Sequence, residues 1–334
     1  MSVIGNLNPT LMDVARRSDP DGKIATIVEL LNETNEILNH MTVLECNDGT
    51  SHRTTVRTGL PAVTWRQLNY GVQPTKSKTK QIADATGMLE AYAEIDKMLA
   101  DLNGNTASFR LSEDRAFLEA MNQEMATTLF YGNTAVEPEK FMGLAPRYTS
   151  YGTDDTKSSF NVIHGAGVGD DNTSIWLVVF GPNTVHALYP KGSKAGLSHR
   201  DLGEVTLEDA NKGRFQGYRT HYKWDIGLTV RDWRYAVRIA NIDVSELSGA
   251  TGQKALVSLM IQASERIPQL GMGRPVWCCN RTVQTALRLG IQEKIASNLT
   301  WDTVAGKRVL GFDGIPIARC DSLINAEALV PAAS

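Results

Sequence analysis

The sequence is short of the features that mark a metal-held, secreted or membrane-bound protein. Its four cysteines, Cys46, Cys278, Cys279 and Cys320, include no C-x-x-C pair. That excludes a recognisable zinc site or disulfide framework and reads as reduced, buried thiols. No apolar run approaches the ~18 residues of a membrane span. The N-terminal MSVIGNLNPT has no basic block ahead of an apolar one, so no export signal is expected and the protein reads as made in the cytosol. Charge of one sign is also scarce: 34 Lys and Arg against 37 Asp and Glu leave a formal net charge of -3. The basic excess of a nucleic-acid binder is missing. So are G-x-x-x-x-G-K-[ST], H-E-x-x-H and G-x-S-x-G, and the six histidines are scattered. These absences weigh against an enzyme and against a monomeric nucleic-acid-binding module.

What is present is a chain of 334 residues, 42% hydrophobic and 21% charged, long enough to bury about three quarters of its unfolded surface. Asn8 and Pro9 open a first helix. Ile24, Ile27, Val28 and Leu31, then Ile37 and Leu38, mark a second. Neither closes a core, so residues 1–46 read as an arm. Residues 47–82 are rich in Thr, Val and Arg and read as extended strands. Lys76, Lys78 and Lys80 alternate, which in a strand places all three on one side. The hairpin is read as too poor in apolar residues to stand alone.

Met88, Leu89, Tyr92, Ile95, Leu99 and Leu102 suggest a helix ending near Gly104. A second helix is expected over 112–131, capped by Ser112, with Phe117, Met121, Met125 and Leu129 recurring every four residues. Gly132 stands where a left-handed C-terminal residue belongs. This rod would be about 27 Å long with a narrow apolar stripe, lying on a surface.

The chain then turns mostly β. Residues 173–180, TSIWLVVF, form a buried-strand run. Tyr218, Thr220, Tyr222, Trp224, Ile226, Leu228 and Val230 alternate with Arg219, His221, Lys223, Asp225 and Arg231, and Trp233, Tyr235, Val237 and Ile239 repeat the pattern. Two long, half-exposed strands are expected. They carry a basic cluster of Arg214, Arg219, Lys223, Arg231, Arg234 and Arg238, read as a solvated or subunit-facing side rather than a nucleic-acid site. Residues 164–171, HGAGVGDD, could cradle a phosphate or hard cation but read better as a flexible surface loop. Beyond 250 the order is α/β: a helix over 251–270, a short strand at VWCCN, a helix over 282–295, and a strand pair in KRVLGFDGIPIARC.

The order of segments (arm, polar hairpin, rod, bend, long sheet, compact α/β end) resembles the major capsid proteins of tailed double-stranded DNA phages, with the Hong Kong 97-type capsid fold. DPDGKIATIVELLNETNEIL and HRTTVRTGLPAVTWRQLNYGVQPTKS carry a more specific resemblance to the epsilon-fifteen-type podoviral group. PVWCCNRTVQTALR and GFDGIPIARCDSL are similar in style to that family's final domain.

The resemblance implies an α+β fold with an N-terminal arm (1–46), an E-loop hairpin (47–82), a peripheral domain (83–250) and an axial domain with a C-terminal segment (251–334). The peripheral domain would hold the spine helix 112–131 and the long strands, and the spine would pack through Phe117, Met121, Met125 and Leu129. Arg53, Arg57, Trp65, Arg66, Lys76, Lys78 and Lys80 of the E-loop would meet an adjacent subunit. The protein would then assemble with itself, as homopentamers and homohexamers, into an icosahedral shell around phage DNA. The alternative is another self-assembling shell, an encapsulin-like compartment. No catalysis, cofactor, metal or membrane is implied. DNA would be contacted weakly and non-specifically. Partners would be a portal, a separate scaffolding protein, since the chain has no room for the scaffolding segment of some relatives, and in some shells a decoration protein. The location would be the virion, after assembly in the host cytoplasm. The lysine–asparagine crosslink of some relatives is not carried over, for want of a matching asparagine motif.

Overall fold

The computed structural model describes residues 35–104, 106–209, 211–292, 299–304 and 307–333. The helical stretches expected before residue 35 lie outside the described residues. The described helices are α1 (Ile37–His40), α2 (Lys97–Ala100), α3 (Thr106–Tyr131), α4 (Ala250–Arg266) and α5 (Arg281–Gln292). The strands are β1 (Val43–Glu45), β2 (Ser51–Gly59), β3 (Lys78–Asp96), β4 (Val162–His164), β5 (Asn172–Phe180), β6 (Val185–Tyr189), β7 (Ser198–Glu208), β8 (Arg214–Val230), β9 (Ala236–Asp243), β10 (Arg274–Cys279), β11 (Leu299–Val304), β12 (Lys307–Phe312) and β13 (Ile315–Arg319). They join in the order β11-β12-β13-β10-β5-β6-β8-β3-β2, with β1 on β6, β7 on β8, and β9 bridging β5 and β4.

β5 organises the interior. All nine of its residues are buried, as the continuous apolar run requires of a strand covered on both faces. Because successive side chains point to opposite faces, Trp176, Val178 and Phe180 enter one core while Ile175, Leu177 and Val179 enter another. β10 is sorted the same way: Val276 and Cys278 go to the first core, Trp277 and Cys279 to the second. The adjacent cysteines therefore face opposite sides of one sheet, and all four thiols are free and buried. The first core is closed by the end of α3 through Met125, Leu129 and Phe130. The second is closed by α4 and α5 through Leu256, Met260, Val283 and Leu287. It also takes Ile163, Val237 and Ile239, so residues from both sides of residue 250 share this core.

α3 starts at Thr106, ahead of the expected Ser112, and its 26 residues span about 39 Å. The extra turns are anchored by Phe109, which packs with Ile95 and Ala100. Gly132 is not in the left-handed region. Glycine is required there by close approach: a Cβ would sit 2.5 Å from the Phe141 carbonyl oxygen. The returning chain pairs with the helix end, Gly143 N to Gly132 O at 2.8 Å and Leu144 N to Leu129 O at 2.9 Å.

Residues 88–96 are strand, not the expected helix. Ala93 and Ile95 are buried, whereas Met88 and Tyr92 are 69% and 48% exposed. Of the apolar residues that matched a helical spacing, Met88 and Tyr92 lie on one face of β3 and Leu89 and Ile95 on the other, while Leu99 falls in α2 and Leu102 in the 3-10 turn after it. Likewise β9 is not half-exposed: seven of its eight residues are buried, and it pairs with β5 and β4 rather than with β8. Trp233–Tyr235 is a 3-10 turn. β8 does alternate, with Thr220 and Tyr222 buried, until Ile226–Val230, where every residue is buried.

Candidate functional site

β2 and the first half of β3 form an antiparallel hairpin whose pairing runs from Ser51↔Ala85 to Gly59↔Lys78. The turn before β2 is tight. Asp48 and Ser51 exchange backbone hydrogen bonds, and Gly49 takes a φ of 58°. Asn47 clamps the backbone of Arg53 in both directions, at 2.7 and 2.8 Å, and Arg53 is paired with Asp48 at 2.8 Å.

Residues 60–77 link the two strands. Thr75 Oγ1 donates to Ala62 O at 2.8 Å and Tyr70 N to Gln67 O at 3.2 Å, with Asn69 left-handed at φ 68°. The side chains point into solvent: Trp65 is 100% exposed, Val63 92%, Leu68 83%, Leu60 82% and Tyr70 70%. The hairpin is therefore not short of apolar residues, as expected from sequence. It places them along the 60–77 link, where no described residue covers them. Large exposed apolar side chains grouped on one loop make it the candidate interaction surface.

Charge adds to this. Residues 49–83 hold no Asp or Glu but six cations, Arg53, Arg57, Arg66, Lys76, Lys78 and Lys80. All six are exposed. Among the described residues only Arg53 has an ion-pair partner. Lys78 and Lys80 lie in β3 opposite Gly59 and Val56, while Lys76 precedes the strand. The cations are evident in the sequence one by one; the signal that unites them is the absence of any acid across the whole segment.

At its root the hairpin is bolted to the body. Asp84 is 7% exposed; Arg147 Nη2 donates to it at 2.8 Å and Thr229 Oγ1 donates to its other oxygen. Arg147 also donates to the carbonyls of Gly143, Met142 and Leu228. β3 then continues beyond the root and pairs with β8 from Thr86↔Gly227 to Asp96↔Gly217.

The residues named for the spine helix are graded along it. Phe117 is half-buried and packs with Met121 against Ala93 and Tyr222; Met125 and Leu129 enter the first core. The basic cluster dissolves. Arg219 pairs with Glu94 at 2.6 Å, Lys223 with Asp225 at 3.2 Å, Arg234 with Asp232 at 2.6 Å, and Arg238 is buried against Glu327. The 164–171 loop spends its amides on β9, Gly165 N on Ala240 O and Gly167 N on Asn241 O, leaving no phosphate cradle at those positions. Among the described residues no group of three or more His, Cys, Asp or Glu is placed to hold a metal ion, and no helix is long and apolar enough to cross a membrane.

Comparisons with known proteins agree with this architecture. The family described as Major capsid protein GP7 matches residues 19–331. The capsid structure of bacteriophage Epsilon15 is similar at 37% identity and a TM-score of 0.80, covering 100% of both chains. The bacteriophage JBD30 capsid is similar at 10% identity and a TM-score of 0.50, covering 88% of this chain and 92% of that one, a likeness of fold alone. No curated protein sequence matches the chain. The α+β, Hong Kong 97-type capsid fold expected from the sequence is the fold observed.

Proposed function

The chain belongs to the major capsid protein GP7 family of tailed phages, and from that premise we propose how it builds a shell. It self-assembles as pentamers and hexamers into an icosahedral container for double-stranded DNA, and the hairpin 47–82 is the element that grips a neighbour. The family match supports a phage capsid rather than an encapsulin-like compartment.

One observation carries the role of the hairpin: an outstretched arm with an exposed apolar tip and six cations but no acid. Apolar side chains such as Trp65 and Leu68 gain roughly 25 cal/mol per Å² on leaving water. No described part of the same chain covers them, so a second copy does. Its charge suits an acidic partner, and this protein supplies one: setting aside Arg53, Arg57, Arg66, Lys76, Lys78 and Lys80 leaves 28 cations against 37 acids in the rest of the chain. Each grip can be weak, because a shell subunit has several neighbours and their contacts add through multivalency. The near-neutral whole fits weak, non-specific contact with packaged DNA. No catalytic step is assigned. A separate scaffolding protein, a portal and, in some shells, a decoration protein complete the particle, which is assembled in the host cytoplasm and resides in the virion.

Electron microscopy of the overexpressed protein, with and without its neighbouring genes, tests this reading. Closed shells or capsomer rings are expected. Sedimentation as a monomer under every condition would overturn it.

A further inference from the structure

The root of the hairpin holds a second polar group besides the Asp84 bolt. His186 of β6 is fully buried, and neither of its ring nitrogens makes a well-formed hydrogen bond among the described residues, the Gly181 backbone approaching it only loosely. Its ring meets that of His52 of β2 edge to face, centroids 5.6 Å apart at 86°. The Nδ1 of His52 is buried and unpartnered as well. The pair closes a polar row across four strands: His186 lies opposite Thr229, Thr229 donates to Asp84, and Asp84 lies opposite His52. His52 belongs to the hairpin and His186 to the central sheet, so their contact exists only while the root is closed.

We propose that the His52–His186 contact is an acid-sensitive latch, holding the hairpin root against the body at neutral pH and releasing it on mild acidification. It goes beyond the shell reading and does not depend on it.

The surroundings explain the sense of the switch. The groups facing the pair are Asp84 from β3, Thr229 from β8, Arg231 beyond β8 and the backbone of Gly181. Arg231 is a permanent cation. The one carboxylate, Asp84, is already engaged by Arg147 and Thr229. A proton on either ring would add a second cation to a dry site without a free acid. Burial accordingly pulls His186 down to about 4, reinforced by His52, and burial with Arg231 lowers His52.

Well above pH ~6.5 both rings are neutral whether the root is closed or open, and the latch is at full strength. As pH falls below that value, an opened root takes up protons that the closed root refuses, so opening gains. The gain levels off only near pH 4, where the buried His186 itself titrates. At pH 5 this one ring favours the open root about 30-fold relative to pH 8.

Hydrogen exchange on full-length, unassembled protein at pH 7.5 and pH 5.0, corrected for intrinsic rates, tests the latch. Amides of 51–56 and 80–86 should exchange faster by about that factor at the lower pH, while 172–180 stay protected. His186→Phe should remove the difference. Equal protection of the root at both pH values, or a step that survives His186→Phe, overturns the proposal. Should that variant lose protection at 172–180, His186→Gln, neutral at both pH values, carries the same test. Nuclear magnetic resonance titration of the unaltered protein gives a further check, and a His186 ring that protonates at or above pH 6.5 in the closed state sinks the idea.

Discussion

Arg238 Nη2 lies 2.8 Å from Glu327 Oε2, with both side chains almost wholly out of water. The pair joins β9 to the C-terminal segment that crosses back over the sheet, and its spare valences are used. Arg238 also donates to Ser174 Oγ and Tyr148 O and lies over the Trp176 ring at 5.3 Å. Glu327 also accepts from Ser174 and from Tyr131. Asn241 then holds Val330 through both of its amide atoms. Glu327→Ala strands a buried guanidinium, so a loss of about 3–5 kcal/mol is expected in urea unfolding. A change under about 1 kcal/mol would show that the segment closes over water.

The tip of the hairpin should behave oppositely. Trp65→Ser with Leu68→Ser removes side chains that are almost wholly exposed, so the melting temperature of the subunit is expected to stay constant while shell yield collapses. Shells at the normal yield would remove the tip from the interface. Deleting 55–80 makes the same point more bluntly: circular dichroism should report a folded subunit that forms no stable shells.

The cations give a separate handle. Reversing Arg57, Lys78 and Lys80 to Glu together is expected to weaken assembly without unfolding the chain. The unaltered protein should also assemble less well near 1 M salt, where the Debye length is roughly 3 Å. Assembly that is indifferent to both would leave the hairpin's charge without a partner. Light scattering during assembly reads both.

The long helix predicts a gradient of sensitivity. Leu129 is 1% exposed inside the first core, and Leu129→Ala should cost about 2–5 kcal/mol. Phe117 is only half-buried, so Phe117→Ala should cost less, roughly 1–3 kcal/mol. Equal losses in thermal unfolding would contradict the graded burial.

The cysteines should be silent. A hydrogen bond with Cys320 and burial push the Cys278 thiol up, and burial pushes Cys279 up. Thiolate is the reactive form. A thiol reagent at pH 8 should therefore label Cys278 and Cys279 only after denaturation. Rapid native labelling would mean that β10 opens readily.

The parts legible in the sequence were those where one periodicity had one cause. β5 is apolar throughout because both its faces are covered, and its run of eight could be read directly. The end of α3 was legible because Met121, Met125 and Leu129 all face buried ground. Its beginning was not: Ser112 looks like a cap, yet Phe109 anchors further turns that carry no local stop signal. Met88 to Leu102 misled because a twisting strand exposes Met88 and Tyr92 on one side while Ala93 and Ile95 pack on the other, and the mixture mimics a helical spacing. The pairing of the second half of β3 with β8 was hidden, since the two strands are distant in the chain. The hairpin's tip was misjudged because apolar side chains among Thr, Gln and Pro look dilute in sequence and become a cluster only when the loop closes through Thr75 and Ala62.

β3 has a mechanical consequence. Its 19 residues run unbroken from the exposed arm into the sheet, about 63 Å of extended backbone without a swivel. Half of its ladder belongs to the arm and half to β8. Traction applied at the far end thus travels down a single covalent rail into the molecule's interior instead of being absorbed by a slack tether. Like the loom of an oar, the strand makes any displacement of the blade a torque on the hull.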